Sequence, residues 1–377
     1  MIERLKEIEK NPRVLILPAS IGLEGRTMGG GERYATEYTR ALAKLTHAEQ
    51  ALFCLHPSIL PKDAPPTRVL TWTDSERPIL PPFTRSTWKA LSEYDVLHLM
   101  CFPNSVADGF LASGISRSQL VILTDIGGGG RCCSTYLSKV HPRLNPYRHA
   151  SGFAHLSDYA GSLFPDWKLP STILHGGARQ LFPPGTGRFD GYALFVGRLL
   201  PHKGVHELVQ AMPESFELRI VGRPYDNQYF ELLKQSSQGK RVRFLTDADD
   251  EELARQYQGA TVVLQPSIPN PSGGQDRSEL LGLVAIEAQS AGKPVIVTDT
   301  TSLPELVQDG VTGRIVPSHD LFALRAALES FLKSPSYSEE IGRNAARIAA
   351  TRFTWESVAQ RGLALYRKLL RDRGIGG

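Results

Sequence analysis

The sequence predicts an α/β protein of two successive units, each a parallel sheet wrapped by helices, and three observations carry that prediction. Short runs rich in Val, Ile, Leu and Phe alternate with amphipathic segments at helical spacing, an order that builds parallel sheets. The alternation completes a sheet twice, and a dense Pro/Gly stretch, Leu181-Phe182-Pro183-Pro184-Gly185-Thr186-Gly187, interrupts it between the two. The 377 residues also exceed what one hydrophobic core usually serves. The expected domains are residues 1–185, joined by a returning helix over 355–377, and residues 186–354.

In the first half, Arg13-Val14-Leu15-Ile16-Leu17-Pro18 reads as a buried strand, followed by a Gly-rich turn and a helix from Arg33 to Leu45. Further strands are expected at 51–55, 96–99, 121–124 and 152–156. The second half restarts with Tyr192-Ala193-Leu194-Phe195-Val196 and continues through strands at 218–221, 242–245, 261–265 and 294–298. Helices are signalled between them at 204–211, 228–235, 250–258 and 283–291, with 322–332 and 338–350 closing the unit. The helical segment 355–370 lies beyond what the second sheet needs and is expected to cross back to the first domain.

Composition narrows the function classes. With 41% hydrophobic and 22% charged residues the chain is ordinary for a folded protein, and no stretch reads as disordered. No apolar run approaches the roughly 20 residues that span a bilayer, and Met1-Ile2-Glu3-Arg4-Leu5-Lys6 lacks a signal-peptide core, so a cytoplasmic location is expected. Cys54, Cys101, Cys132 and Cys133 show no CxxC spacing and are expected to be reduced thiols, mostly buried. A net charge of +4, without a basic run interleaved with aromatics, argues against a nucleic-acid partner. It is compatible with phosphate-bearing ligands or loose contact with anionic lipid at the inner face of a membrane.

The strongest local constellation is Phe195-Val196-Gly197-Arg198-Leu199-Leu200-Pro201-His202-Lys203-Gly204, a strand entering a Gly-bounded turn with two cations ahead of a helix. Such a turn places Arg198 and Lys203 at the C-terminal edge of a sheet, where open α/β folds bind ligands. A planar guanidinium and a mobile ammonium together suit the oxygens of a pyrophosphate leaving group. The alternative is a solvated basic turn. The next constellation is Glu279-Leu280-Leu281-Gly282-Leu283-Val284-Ala285-Ile286-Glu287. A helix beginning near Leu283 would aim its free N–H groups at an anion, with Gly282 allowing close approach. Glu287 can then accept from a ribose diol and Glu279 from hydroxyls of a sugar, although an ordinary first-turn preference for acidic residues also yields such a pair. Asp247-Ala248-Asp249-Asp250 resembles a metal-binding DxD pattern but stands where a helix cap belongs. The glycines 127–130 lack the GxGxxG context of a dinucleotide fold.

Taken together, Gly197-Arg198, His202-Lys203-Gly204, the E-x7-E segment from Glu279 to Glu287, Ala291-Gly292-Lys293-Pro294 and Asp309-Gly310-Val311-Thr312-Gly313 resemble the retaining GT-B glycosyltransferases of family 4. The first half carries a thinner match at Met28-Gly29-Gly30-Gly31-Glu32-Arg33, Thr124 to Gly130 and Ser157-Asp158-Tyr159-Ala160. The resemblance implies two Rossmann-like domains facing across a cleft, and retaining, metal-independent transfer from a nucleoside diphosphate sugar to a hydroxyl acceptor. No cofactor and no metal are expected. It implies that Arg198 and Lys203 hold the diphosphate, Glu279 the donor sugar and Glu287 the ribose. Gly282, Leu283 and Val284 then give backbone contacts, Gly29, Gly30 and Gly31 cover the donor, and the base lies near Arg223, Leu245 and Thr246. The chain departs from the family at Ile126, where many relatives carry His. Asp125 is the substitute polar group, unless it only caps the Gly-rich turn, and His98 is expected to be a satisfied core histidine. Two other readings stay open: a non-catalytic nucleotide-sugar-binding protein, motivated by Ile126, and a sugar-nucleotide epimerase of the same fold.

Overall fold

The computed structural model describes residues 7–18, 30–54, 64–71, 85–103, 105–112, 115, 118–127, 146–165, 168–179, 188–270 and 278–375. Expectations resting on Met28, Gly29, Gly128 to Gly130, Cys132, Cys133, the 181–187 stretch and residues 271–277 lie outside them. The chain divides into two compact units, one of Met1–Leu156, Ala160–His175 and Trp355–Gly377, the other of Ser157–Tyr159 and Gly176–Thr354. Among the described residues no helix is long and apolar enough to cross a membrane.

The first unit is built on β1 (Arg13–Pro18), α1 (Gly30–Leu42), β2 (His47–Cys54), β3 (Thr67–Thr71), α2 (Arg85–Leu91), β4 (Val96–Phe102), α3 (Ser105–Ala112), β5 (Leu120–Asp125), β6 (Gly152–His155), α4 (Asp158–Ser162, from Ala160 onward) and β7 (Ser171–Ile173). Its strands pair in parallel in the order β3-β2-β1-β4-β5-β6-β7. β4 and β5 are buried along their whole length, as strands covered on both faces are. β3 and β7 escape the sequence reading because they are short outer strands behind Pro-rich segments, where the apolar run is cut to a few half-buried residues.

The C-terminal helix, Trp355–Ile375, packs on α1 in this unit, as the sequence anticipates. A buried hydrogen-bond chain fixes it. Thr124 Oγ1 donates to Ala154 O at 2.7 Å, so its oxygen accepts from His98 Nε2 at 2.6 Å. Neutral His98 then has a bare Nδ1, which accepts from Tyr366 OH at 2.6 Å, and the Tyr366 oxygen accepts from Tyr38 OH at 2.7 Å. Gly362 makes room for this contact, since a Cβ there would stand 1.9 Å from Tyr38 Oη. His98 is the satisfied core histidine expected, and burial pushes its pKa down to about 3 from 6.5. Between those values the unfolded chain binds a proton that the folded chain does not. Stability is therefore expected to fall as pH drops from about 6.5 toward 3, by up to about 1.4 kcal/mol per pH unit from this group. Urea unfolding across that range should show the slope, and His98→Gln should flatten it. Cys101 is likewise buried, and burial pushes its thiol up to about 12.

The second unit contains β8 (Tyr192–Val196), α5 (Val205–Ala211), β9 (Glu217–Val221), α6 (Asn227–Ser236), β10 (Val242–Leu245), α7 (Asp250–Gly259), β11 (Val262–Gln265), α8 (Leu283–Ser290), β12 (Val295–Thr298), β13 (Gly313–Val316), α9 (Leu321–Leu332) and α10 (Pro335–Arg352). The sheet is parallel in the order β10-β9-β8-β11-β12-β13. This is the doubly wound arrangement in which strand order reverses between the first and fourth strands, here β8 and β11, leaving a crevice at their carboxyl ends. β13 is absent from the sequence expectations because it is four residues long and begins with glycine. Gly313 is required there, since a Cβ would stand 2.0 Å from Val295 O on β12. Asp226, Asp249 and Asp320 cap α6, α7 and α9 by accepting from backbone N–H groups.

Candidate functional site

The basic turn leaves β8 at this reversal point and is locked in place by backbone on both sides. Gly197 N donates to Val221 O at 3.0 Å and Leu199 N to Arg223 O at 3.1 Å, tying it to the loop after β9. Ile268 N donates to His202 O at 2.9 Å, tying it to the loop after β11. Pro201–Lys203 forms one 3₁₀ turn that ends on Gly204 at φ 68°, a left-handed conformation glycine adopts freely. Arg198 is exposed, its guanidinium 5.7 Å from the Tyr225 ring centroid.

Lys203 turns inward. Its Nζ donates to Glu279 Oε2 at 2.7 Å and to Ser278 O at 3.1 Å, so the structure joins residues 76 apart in sequence. Gln265, the last residue of β11, donates Nε2 to the same Glu279 oxygen at 2.8 Å, while its Oε1 accepts from Ala285 N at 3.1 Å. The lysine and glutamate side chains are 14% and 15% exposed, a partly desolvated pair reachable at one edge. Burial alone would raise the Glu279 pKa. The Lys203 ammonium, the Lys203 and Gln265 hydrogen bonds and nearby His202 outweigh it and hold the carboxyl below its usual range. Glu279 is thus an anion at neutral pH, and the stability it contributes is lost only as pH falls through that lowered value.

α8 begins at Leu283 with Gly282 as its N-cap at φ 86°, where the sequence places the helix start. A Cβ at Gly282 would meet Leu303 Cδ2 at 2.8 Å and Leu306 Cδ1 at 2.9 Å. The first amides of a helix have no partner within it, and among the described residues those of Leu283 and Val284 remain available to an anion, whereas Ala285 N donates to Gln265 Oε1 and to Gly282 O, each at 3.1 Å. One turn further, Glu287 is buried and engaged. Its Oε1 accepts from Arg179 Nε at 3.0 Å and its Oε2 from Tyr257 OH at 3.0 Å.

The remaining expected residues fall in two places. Arg223 is exposed at the end of β9, and Leu245 and Thr246 line an open depression of about 360 Å³ with Phe244, Asp247 and Ala248 at the end of β10. Asp249, in the DxD-like run, caps α7 by accepting from Glu252 N at 2.7 Å. In the first unit Asp125 is buried and its Oδ1 accepts from Gly127 N at 3.0 Å, so it does cap the turn. Gly30 and Gly31 open α1, and a Cβ on Gly31 would stand 2.9 Å from Ile126 Cδ1, so the apolar side chain at the departing position lies against that glycine. The sequence reading misses Gln265, Tyr257 and Arg179. A glutamine ending a buried Val-Val-Leu strand is a legible signal, but Arg179 meets Glu287 across 108 residues and carries none.

Residues 185–348 match the family model described as glycosyl transferases group 1. The chain is similar to the D-inositol 3-phosphate glycosyltransferases of Corynebacterium diphtheriae, at 34% identity over 222 residues covering 52% of this chain and 50% of that one, and of Streptomyces coelicolor, at 34% over 214 residues covering 52% and 45%. It spans about half the length of these curated relatives. Among solved structures it is similar to the sucrose-phosphate synthase of Thermosynechococcus elongatus, with a TM-score of 0.68 at 22% identity over 96% of this chain and 100% of that one. It is also similar to HepE of Anabaena in complex with UDP and glucose, with a TM-score of 0.67 at 20% identity over 94% and 99%. These likenesses and the two parallel sheets identify the fold as GT-B.

Proposed function

We propose that this chain, whose residues 185–348 match the family model of glycosyl transferases group 1, is a retaining glycosyltransferase that moves a sugar from a nucleoside diphosphate sugar to a hydroxyl acceptor. The observation that carries the reading is the Lys203–Glu279–Gln265 cluster at the strand-order reversal, beside the open amides of α8. A cation, an acceptor-only carboxylate and free N–H groups converge where a glycosyl diphosphate needs each of them. HepE, a structural neighbour, is solved with UDP and glucose, which supports a nucleotide-sugar donor.

In this reading Arg198, Lys203 and the Leu283 and Val284 amides meet the diphosphate, Glu279 accepts from hydroxyls of the transferred sugar, and Glu287 accepts from the ribose. Arg223, Leu245 and Thr246 lie by the base. The bond from the anomeric carbon to the diphosphate oxygen breaks with its electron pair leaving on that oxygen. The acceptor oxygen bonds to the same face of the carbon, and its proton passes to the departing phosphate. Arg198 and Lys203 neutralise the charge that develops, so the transfer needs no metal. Asp125 lines the acceptor side. D-inositol 3-phosphate, for which the curated relatives are named, heads the acceptor panel to assay.

Calorimetry of the protein against UDP-, GDP-, ADP- and dTDP-sugars without added metal tests the site. Selective micromolar binding is expected, weakened at least tenfold by Arg198→Ala and by Glu287→Ala. Wild-type protein that binds none of them refutes it. A second reading, nucleotide-sugar binding without transfer, is favoured by Ile126 packing on Gly31 at the departing position. Donor binding with no product over a broad acceptor panel would select it.

A further inference from the structure

We propose that Arg179 is a positioning residue for the ribose site, holding the Glu287 carboxylate so that its unused lone pairs face the nucleotide's diol. This rests on the donor-site reading of Glu287. The arginine is 9% exposed and divides its fork between two carboxylates, Nε to Glu287 Oε1 at 3.0 Å and Nη1 to Asp250 Oδ1 at 2.7 Å. Tyr257, on the same helix as Asp250, donates to the other Glu287 oxygen at 3.0 Å. A carboxylate offers about four lone-pair positions. Arg179 and Tyr257 take one on each oxygen and leave one on each, the number a vicinal diol needs.

The segment carrying Arg179 is itself fixed against α8. A Cβ on Gly176 would stand 2.6 Å from Leu283 Cδ2 and 3.0 Å from Leu281 Cδ2, so the chain lies close against the leucines at the helix start. Ala178 N donates to Phe353 O at 3.1 Å two residues later. Arg179 thus follows a backbone held at Gly176 and Ala178, and its planar fork sets the carboxylate plane as a lysine could not. A buried Arg–Glu pair is by itself weak grounds for a stability role, because desolvation cancels much of the attraction. Fixing the orientation of a ligand-binding carboxylate is a role that such a pair fills well.

The test compares UDP with 2′-deoxy-UDP, and likewise GDP and ADP with their 2′-deoxy forms, by calorimetry on the full chain. In wild type the ribonucleotide should bind about tenfold tighter than its 2′-deoxy form. In Arg179→Met the ribonucleotide should weaken about tenfold while the 2′-deoxy form, which has only its 3′-OH to lose from Glu287, weakens clearly less, so the ratio falls toward one. Arg179→Lys, which keeps the charge and loses the fork, should give the same collapse in smaller measure and serves if the Met variant does not fold. Equal weakening of both nucleotides, or an unchanged ratio in a folded variant, overturns the positioning role while leaving the donor site standing. If wild-type protein binds none of the six nucleotides, the donor-site reading fails and this proposal falls with it.

Discussion

Lys203→Ala is expected to lower transfer by about 10²–10³-fold, the loss falling mainly on kcat, because the ammonium acts where charge develops as the diphosphate departs. The same change strips Glu279 of the cation that holds it ionised behind a 15% exposed surface. A carboxylate left there without its partner costs about 2 kcal/mol, below the figure for a fully buried pair because one edge meets solvent. Two effects are thus combined in one variant, and a second substitution separates them. Lys203→Ala with Glu279→Ala removes the stranded charge, so chemical denaturation should show most of the stability restored. Transfer stays at or below the level of Lys203→Ala, since both proposed donor contacts are gone. A double variant that regains activity along with stability would show that the pair only supports the fold. Gln265→Ala should behave differently again: it removes one bond to Glu279 and one of the two made by the Ala285 amide but leaves the ion pair, so an intermediate loss of activity is expected.

The parts of this molecule legible in sequence are those whose cause is local. β8 announces itself as five apolar residues, Gly197 and Gly204 bound the turn that follows, and the start of α8 at Leu283 follows from Gly282 and the apolar run after it. The return of the C-terminal helix to the first unit is also readable, because a strongly helical segment remains once the second sheet has its helices. The parts that escape are set by partners distant in sequence. Glu287 reads as a free acceptor in the sequence, and only the fold shows one bond already taken on each oxygen, one from Arg179 and one from Tyr257. Asp125 reads equally as a turn cap or a site residue, and the bond from Gly127 N settles the first role without touching the second. β13 fails as a pattern because the property that makes Gly313 right for it, the absence of a Cβ facing Val295 O, is invisible without the neighbouring strand.

Gly204→Ala should be the most damaging single-methyl change in the second unit. At φ 68° any side chain sits in the left-handed region, which costs roughly 1 kcal/mol for a non-glycine residue. A Cβ there would also stand 1.8 Å from Pro266 O, a backbone atom in the loop after β11 that has no rotamer by which to move aside. Relief requires the turn to separate from that loop, breaking the Ile268 N to His202 O bond and shifting Lys203 away from Glu279. The two contributions are separable, because Gly239 has a similar φ of 76° with nothing within 4 Å of its Cβ position. Gly239→Ala should therefore report the backbone cost alone, about 1 kcal/mol or roughly 2–4 °C in Tm for a unit of this size. Gly204→Ala should exceed 3 kcal/mol and lower Tm by roughly 6–12 °C, with donor binding lost even well below the transition. Equal Tm shifts in the two variants would mean that the loop after β11 yields easily, and the argument that a rigid turn fixes Lys203 at the strand-order reversal would have to be given up.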